Sequence, residues 1–140
     1  MIQVRNIDKK SNFIIICDHA SNKIPPKFNE LGLSQDILNT HIAYDIGSKE
    51  VAIKLSKILD CPLVMTDFSR LLIDPNRGKD DPTLIPKLSE GKIIKGNVNI
   101  SMSDDDTARS KRIHRFYLPY HEQINRFINK SLCNKKIPKI

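Results

Sequence analysis

The chain has no tryptophan, and aromatic residues make up only 6% of it. The basic-plus-aromatic stacking signature of a nucleic-acid platform is therefore missing. Its 3 cysteines, Cys17, Cys61 and Cys133, are odd in number and lack C-x-x-C spacing. That excludes a zinc ribbon or a disulfide framework and leaves reduced thiols. No apolar run approaches the roughly 18–20 residues needed to span a bilayer. Met1-Ile2-Gln3-Val4-Arg5 lacks the layout of a signal peptide, so the expectation is a cytoplasmic protein with no membrane partner. Internal repeats and low-complexity segments are also absent. At 140 residues, with 39% hydrophobic and 28% charged residues, the chain reads as one globular domain, 1–140.

A formal charge of +7 is abundant but dispersed. Most lysines fall in expected loops and in a basic tail, 134–140. The dense stretch Arg109–Arg115 directly follows Asp104-Asp105-Asp106. A solvated lysine-rich surface accounts for this pattern, and no specific nucleic-acid partner is expected.

Phe13-Ile14-Ile15-Ile16-Cys17 is a short continuous apolar run, the mark of a strand buried on both faces. It runs straight into Asp18-His19. Residues 2–7 suggest a short edge strand. Pro25-Pro26 keeps 22–33 irregular, and Ser34 caps a short helix over 35–39. Val51, Leu55, Ile58 and Leu59 lie on one face of a helix stopped at Cys61-Pro62. Leu63–Thr66 is a second buried strand, completing a βαβ unit, and Leu71-Leu72-Ile73 is a third apolar run. Residues 74–103 show little periodicity, and a loop that long is usually functional or mobile. Ser103 with Asp104–Asp106 starts a helix whose apolar face runs from Ile113 to Leu132. Pro119 predicts a kink or break in it.

Four polar clusters stand out: Asp18-His19-Ala20-Ser21-Asn22, His41–Gly47, Ser69-Arg70 with Asp74-Pro75-Asn76-Arg77, and Gly96-Asn97. The first and third fall where predicted strands end, the edge at which open α/β sheets bind ligands, and the second lies just before the helix of the βαβ unit. His19 offers an imidazole for a divalent metal, zinc being the usual ion for nitrogen-plus-carboxylate sites. Asp18 and Asp45 are ligands or partners that fix the imidazole tautomer. On local grounds alone Asp45 is a cap for the following helix. Arg70 and Arg77 carry planar forks suited to carboxylates, and they read equally as surface ion-pair partners. Asn76 adds a neutral donor and acceptor. His114 and His121, two turns apart, read as solvated or core-edge residues.

Together these motifs, with Pro119-Tyr120-His121, resemble the N-formylglutamate amidohydrolase family from about residue 13 to 128. The resemblance implies a phosphorylase/hydrolase-like α/β fold, three layers deep, with a mixed, mostly parallel sheet. It also implies hydrolysis of N-formyl-L-glutamate, or a similar acidic N-acyl amino acid, by metal-assisted attack of water. His19 would be the metal ligand, most simply for zinc, and His19 and Asp45 the catalytic pair. Arg70, Asn76 and Arg77 would hold the substrate. Zinc-dependent relatives place a glutamate three residues after the histidine, where this chain has Asn22. Family members are also longer, with a later His-Ser-Phe-Thr-Pro-type motif, so the chain is expected to be an N-terminal portion with an incomplete C-terminal side. Such a portion exposes a sheet edge or apolar face, from which homo-oligomerisation is expected. The alternative is an α/β module that binds an acidic metabolite or a protein partner without catalysis.

Overall fold

A computed structural model describes residues 1–103 and 107–133. Strands β1 (Ile2–Arg5), β2 (Ile15–Cys17) and β3 (Leu63–Thr66) form one sheet in the order β1-β3-β2. β2 runs parallel to β3, with Ile16 opposite Val64, whereas β1 is antiparallel to it. The sheet is therefore mixed, as expected, and the βαβ unit is present. The fully buried strand is β3, whose four residues are at most 1% exposed. β2 lies at the end of the strand order, and Ile15 and Ile16 are only partly buried.

Side chains alternate across β3, and each face takes its own helix. Leu63 and Met65 pack with Cys17 and Ala52, which belongs to α2 (Ser48–Ile58), after the short α1 (Gln35–Leu38). Val64 packs with Ile14, Tyr120, Ile124 and Phe127 of the C-terminal helix. Ser34 caps α1, its hydroxyl accepting from the Ile37 N–H, as its sequence predicts. Cys17 and Cys61 are buried free thiols.

The amphipathic face of α2 does not point where its periodicity suggests. Ala52 and Ser56 face the sheet, while Val51 is 56% and Ile58 77% exposed, with Leu55 and Leu59 exposed beside them. A small-residue stripe lets the helix approach closely, and the large apolar stripe is left facing solvent.

The C-terminal helix forms in three pieces without a break: α3 (Thr107–Arg112), a π-helical turn (Ile113–Tyr117) and α4 (Leu118–Cys133). Pro119 expects a disruption, and the wide turn is its form. The Leu118 N–H reaches back to the Ile113 carbonyl, so the ladder is re-spaced just before the proline. The expected helix start at Asp104–Asp106 and the tail 134–140 lie outside the described residues.

Most of the core is built from loops. Leu71, Leu72 and Ile73 are buried but form a turn, not a strand, and they pack with Phe68, Leu84, Ile94 and Phe116. The long segment after Asp74 holds a small hairpin, β4 (Leu88–Ser89) and β5 (Lys92–Ile93). Gly96-Asn97, a candidate for chemistry in the sequence, is structural. Asn97 Nδ2 donates to the Leu71 and Pro86 carbonyls at 2.8 and 2.7 Å, and its Oδ1 accepts from buried Arg112 at 2.7 Å. Among the described residues, no helix is long and apolar enough to cross a membrane.

Candidate active site

β2 ends at Cys17 and hands the chain to Asp18-His19. Thr66, at the matching end of β3, ties this turn down. Its hydroxyl donates to the Asp18 carbonyl at 2.8 Å and accepts the Ala20 N–H at 3.2 Å. His19 is thereby held 6% exposed, with a carboxylate on each ring nitrogen. Nε2 lies 2.8 Å from Asp74 Oδ1, and Nδ1 lies 3.1 Å from Asp45 Oδ2.

Arg70 closes the cluster. It donates to Asp45 Oδ1 at 3.2 Å and to Asp74 Oδ2 at 3.1 Å, bridging the two acids that flank the histidine. The Asp45 N–H donates to the His19 carbonyl, and the Arg70 N–H to the Ala43 carbonyl, so the 41–47 segment is fastened to both neighbours. The side chain of Asp45 is spent on His19 and Arg70; α2 starts from Gly47 with no side-chain cap. The helix-cap reading of Asp45 therefore does not hold, and Arg70 is an ion-pair partner of one half-exposed and one buried acid.

Burial alone would lower the pKa of His19. The hydrogen bond and charge of Asp74, aided by Asp45, outweigh burial and the nearby Arg70, so the net shift is upward. Burial would raise Asp74; the bond and charge of His19, the Asn76 N–H and Arg70 pull it below the usual carboxylate range. Each ring nitrogen thus faces a carboxylate oxygen, an arrangement that protonation of the imidazole would satisfy on both sides.

The C-terminal helix anchors both loops of the cluster. Tyr120 Oη donates to Asp18 Oδ1 at 2.5 Å, Tyr117 Oη to the Arg77 carbonyl at 2.9 Å, and His121 Nε2 bonds the Pro75 carbonyl at 3.0 Å. Burial, then the Asp18 charge, pushes the Tyr120 phenol far up, so it stays a donor. Asp18 and His121 thus tie the turn after β2 and the Pro75 loop to the C-terminal helix. The sequence signal for this was the Pro119-Tyr120-His121 motif.

A cavity of about 340 Å³ opens beside the cluster, lined by Asp45, Arg70, Asp74 and Arg77 on one side and by His41 and Glu90 on the other. His19 sits behind this wall, reaching the cavity only through the two carboxylates. Arg77 is the looser arginine, 45% exposed, with Nε 3.8 Å from Asp74. Asn76 uses its backbone N–H, which donates to Asp74 Oδ1 at 2.9 Å; its side chain is exposed and does not line the cavity.

The zinc that the resemblance implies does not fit this donor set. The two carboxylates sit on opposite nitrogens of one ring, so His19 can share an ion with one of them only. That makes two protein ligands, against the three of a catalytic zinc site. Among the described residues, no group of three or more His, Cys, Asp or Glu is placed to hold a metal ion.

A βαβ unit whose strand-end histidine is flanked by two acids, with two arginines on the adjoining cavity, defines an α/β protein with a polar cleft at the strand ends. The comparisons carry this to a family. The family model for N-formylglutamate amidohydrolase matches residues 11–136, and the chain belongs to that family. The crystal structure of gene product Atu2144 from Agrobacterium tumefaciens is 34% identical, with a TM-score of 0.92. The match covers 98% of this chain and 53% of that one, so this chain spans about half the length of the solved relative. No curated protein matches the sequence.

Proposed function

We propose that this chain carries the acid-recognising part of an amidohydrolase that cleaves N-formyl-L-glutamate, or a similar N-acyl amino acid, to formate and the free amino acid. Family membership supports a hydrolase acting on a linear amide. The observation that carries the assignment is the state of the two cavity arginines. Arg70 is held by Asp45 and Asp74 at 3.2 and 3.1 Å, whereas Arg77 is 45% exposed and makes just a long 3.8 Å contact with Asp74. Its guanidinium is therefore the group best placed to take an anionic ligand.

Arg77 takes the substrate α-carboxylate, because its fork is committed only to a long contact with Asp74. Arg70 is already bidentate and keeps the wall rigid, which orients the amide. Asp45 is the half-exposed acid of the wall. It accepts a proton from water as the water oxygen adds to the formyl carbon. The C–N bond then breaks as the nitrogen takes that proton from Asp45. The cleaved acid and amine leave as formate and the ammonium form of the amino acid, the second proton passing from formic acid to the amine. His19 holds Asp45 and Asp74 in register. The three-layer α/β architecture expected of the family belongs to this reading too.

A second reading is ligand binding without turnover. It is favoured by the carboxylate that each His19 nitrogen already faces. Formate release from N-formyl-L-glutamate separates the two. Turnover that falls at least about a hundredfold in Asp45→Asn and fails to saturate in Arg77→Ala supports hydrolysis. Binding without turnover, surviving His19→Ala but lost in Arg77→Ala, supports the binding module. A chain that neither binds nor hydrolyses the compound refutes both.

A further inference from the structure

The outer wall of the cavity is a flap. Its strands β4 and β5 are two residues each, and Leu88 and Ile93 stand 62% and 61% exposed. A two-stranded hairpin with no covered face is marginal in water. Its base is fixed: the Ile94 N–H donates to the Lys87 carbonyl at 2.9 Å, and Asn97 holds the Pro86 carbonyl. Beyond that base, its tip also meets the body.

The tip is Glu90-Gly91, with φ of +44° and +76°. Two consecutive positive φ values make the turn of a tight hairpin, where Asn, Asp or Gly is preferred at the first position. A glutamate there sits against local preference, which directs attention to its side chain. Glu90 Oε2 lies 2.8 Å from Nε2 of His41, a residue that lines the same cavity as Arg70 and Arg77. Both partners are about two-thirds exposed, and exposed ion pairs of this kind are weak. The two arginines of the cavity are held by acids of the opposite wall, whereas the acid on His41 belongs to the hairpin.

We propose that Glu90 is an internal stand-in for a ligand carboxylate, and that His41 is the residue that selects acyl amino acids bearing a second carboxylate. The α-carboxylate engages Arg77. The side-chain carboxylate replaces Glu90 on His41, and the flap is released. The exchange swaps one carboxylate for another on the same imidazole, so no charge is stranded; Glu90 simply returns to water. This inference rests on the cavity being the acyl amino acid site.

The test is calorimetric titration of the wild-type chain, Glu90→Gln, His41→Gln and Arg77→Ala with N-formyl-L-glutamate and with the neutral isostere N-formyl-L-glutamine. Glu90→Gln should bind the glutamate compound about threefold more tightly and leave the glutamine compound unchanged. His41→Gln should bring the ratio of the two affinities towards one. If Arg77→Ala weakens both ligands while His41→Gln preserves the wild-type ratio, the role of His41 is refuted and the cavity reading stands. If the wild type binds neither compound, or Arg77→Ala binds both as well as wild type, the cavity reading fails and this inference with it. Glu90 and His41 are exposed, so melting temperatures matching wild type show that the variants are folded.

Discussion

His19 and Asp74, separated by 55 positions in the chain, meet at 2.8 Å with side chains 7% and 5% exposed. The pair joins the end of the first parallel strand to the Asp-x-Asn-Arg loop, and it makes two distant motifs one site. Its removal should be costly, because a lone buried carboxylate keeps its desolvation penalty. His19→Ala is expected to lower unfolding free energy by about 3 kcal/mol in urea titrations near neutral pH. Asp74→Asn should cost a comparable amount, since it removes the negative charge and leaves one oxygen where His19 and Arg70 each use their own.

The pair also sets a pH window. The His19 pKa is raised on folding, so its contribution is complete below the ordinary imidazole value of about 6.5 and is lost as pH rises through the raised folded value. The Asp74 pKa is depressed, so its contribution is complete above about 3.9 and is lost as pH falls through the lower folded value. The stability difference between wild type and His19→Gln should therefore peak between these limits and shrink on both sides. A difference that stays flat across the window, followed by denaturant midpoint, contradicts the assignment.

Tyr120 tests the anchoring of the strand end. Tyr120→Phe keeps the ring in the core and removes the donor to Asp18, which should cost about 1–2 kcal/mol. The histidine resonances of His19 should shift with it, because the turn carrying the imidazole loses its outer fastening. A Phe variant with wild-type stability and an unmoved His19 signal argues that the hydroxyl bond contributes nothing.

Much of this site is legible in the order of residues. A run of large apolar side chains ending in Asp-His predicts a strand that delivers His19 to an edge, and β2 does so. The parallel pairing of β2 with β3 follows from the helix between them. Two things are invisible for the same physical reason, that long-range contact decides them. Asp45 looks like a cap because the next residues are helical; only the proximity of His19 and Arg70 diverts its side chain. Leu71–Ile73 looks like a strand because it is continuously apolar, but a buried loop core demands the same composition. The large apolar stripe of α2 misleads in the opposite direction, since periodicity marks one face of a helix without saying that the face is covered.

That stripe has its own consequence. Leu55→Lys and Ile58→Lys should change unfolding free energy by no more than about 0.5 kcal/mol, because both side chains already face water. If the face pairs with a second copy of the chain, light scattering at rising concentration should show a wild-type association that these variants lose. A loss of several kcal/mol in the monomer would instead place the stripe in the core.

Gly96 tests the loop core. A Cβ there would lie 2.8 Å from the Leu31 Cα and 3.0 Å from its Cδ2, and backbone cannot step aside as a side-chain end does. Gly96→Ala should cost about 1–3 kcal/mol, read from thermal or urea unfolding. A neutral substitution would show that the Leu31 turn is not held where the structure puts it.

The central claim is that the wall built from Asp45, Arg70, Asp74 and Arg77 recognises the carboxylate of an N-acyl amino acid. Titration of N-formyl-L-glutamate into the wild-type chain and into Arg77→Ala tests it most directly. The account predicts saturable 1:1 binding to wild type that weakens at least about tenfold in the variant, the scale of one lost charge-assisted bond. Equal affinity for the two proteins, or no binding by wild type, would contradict it.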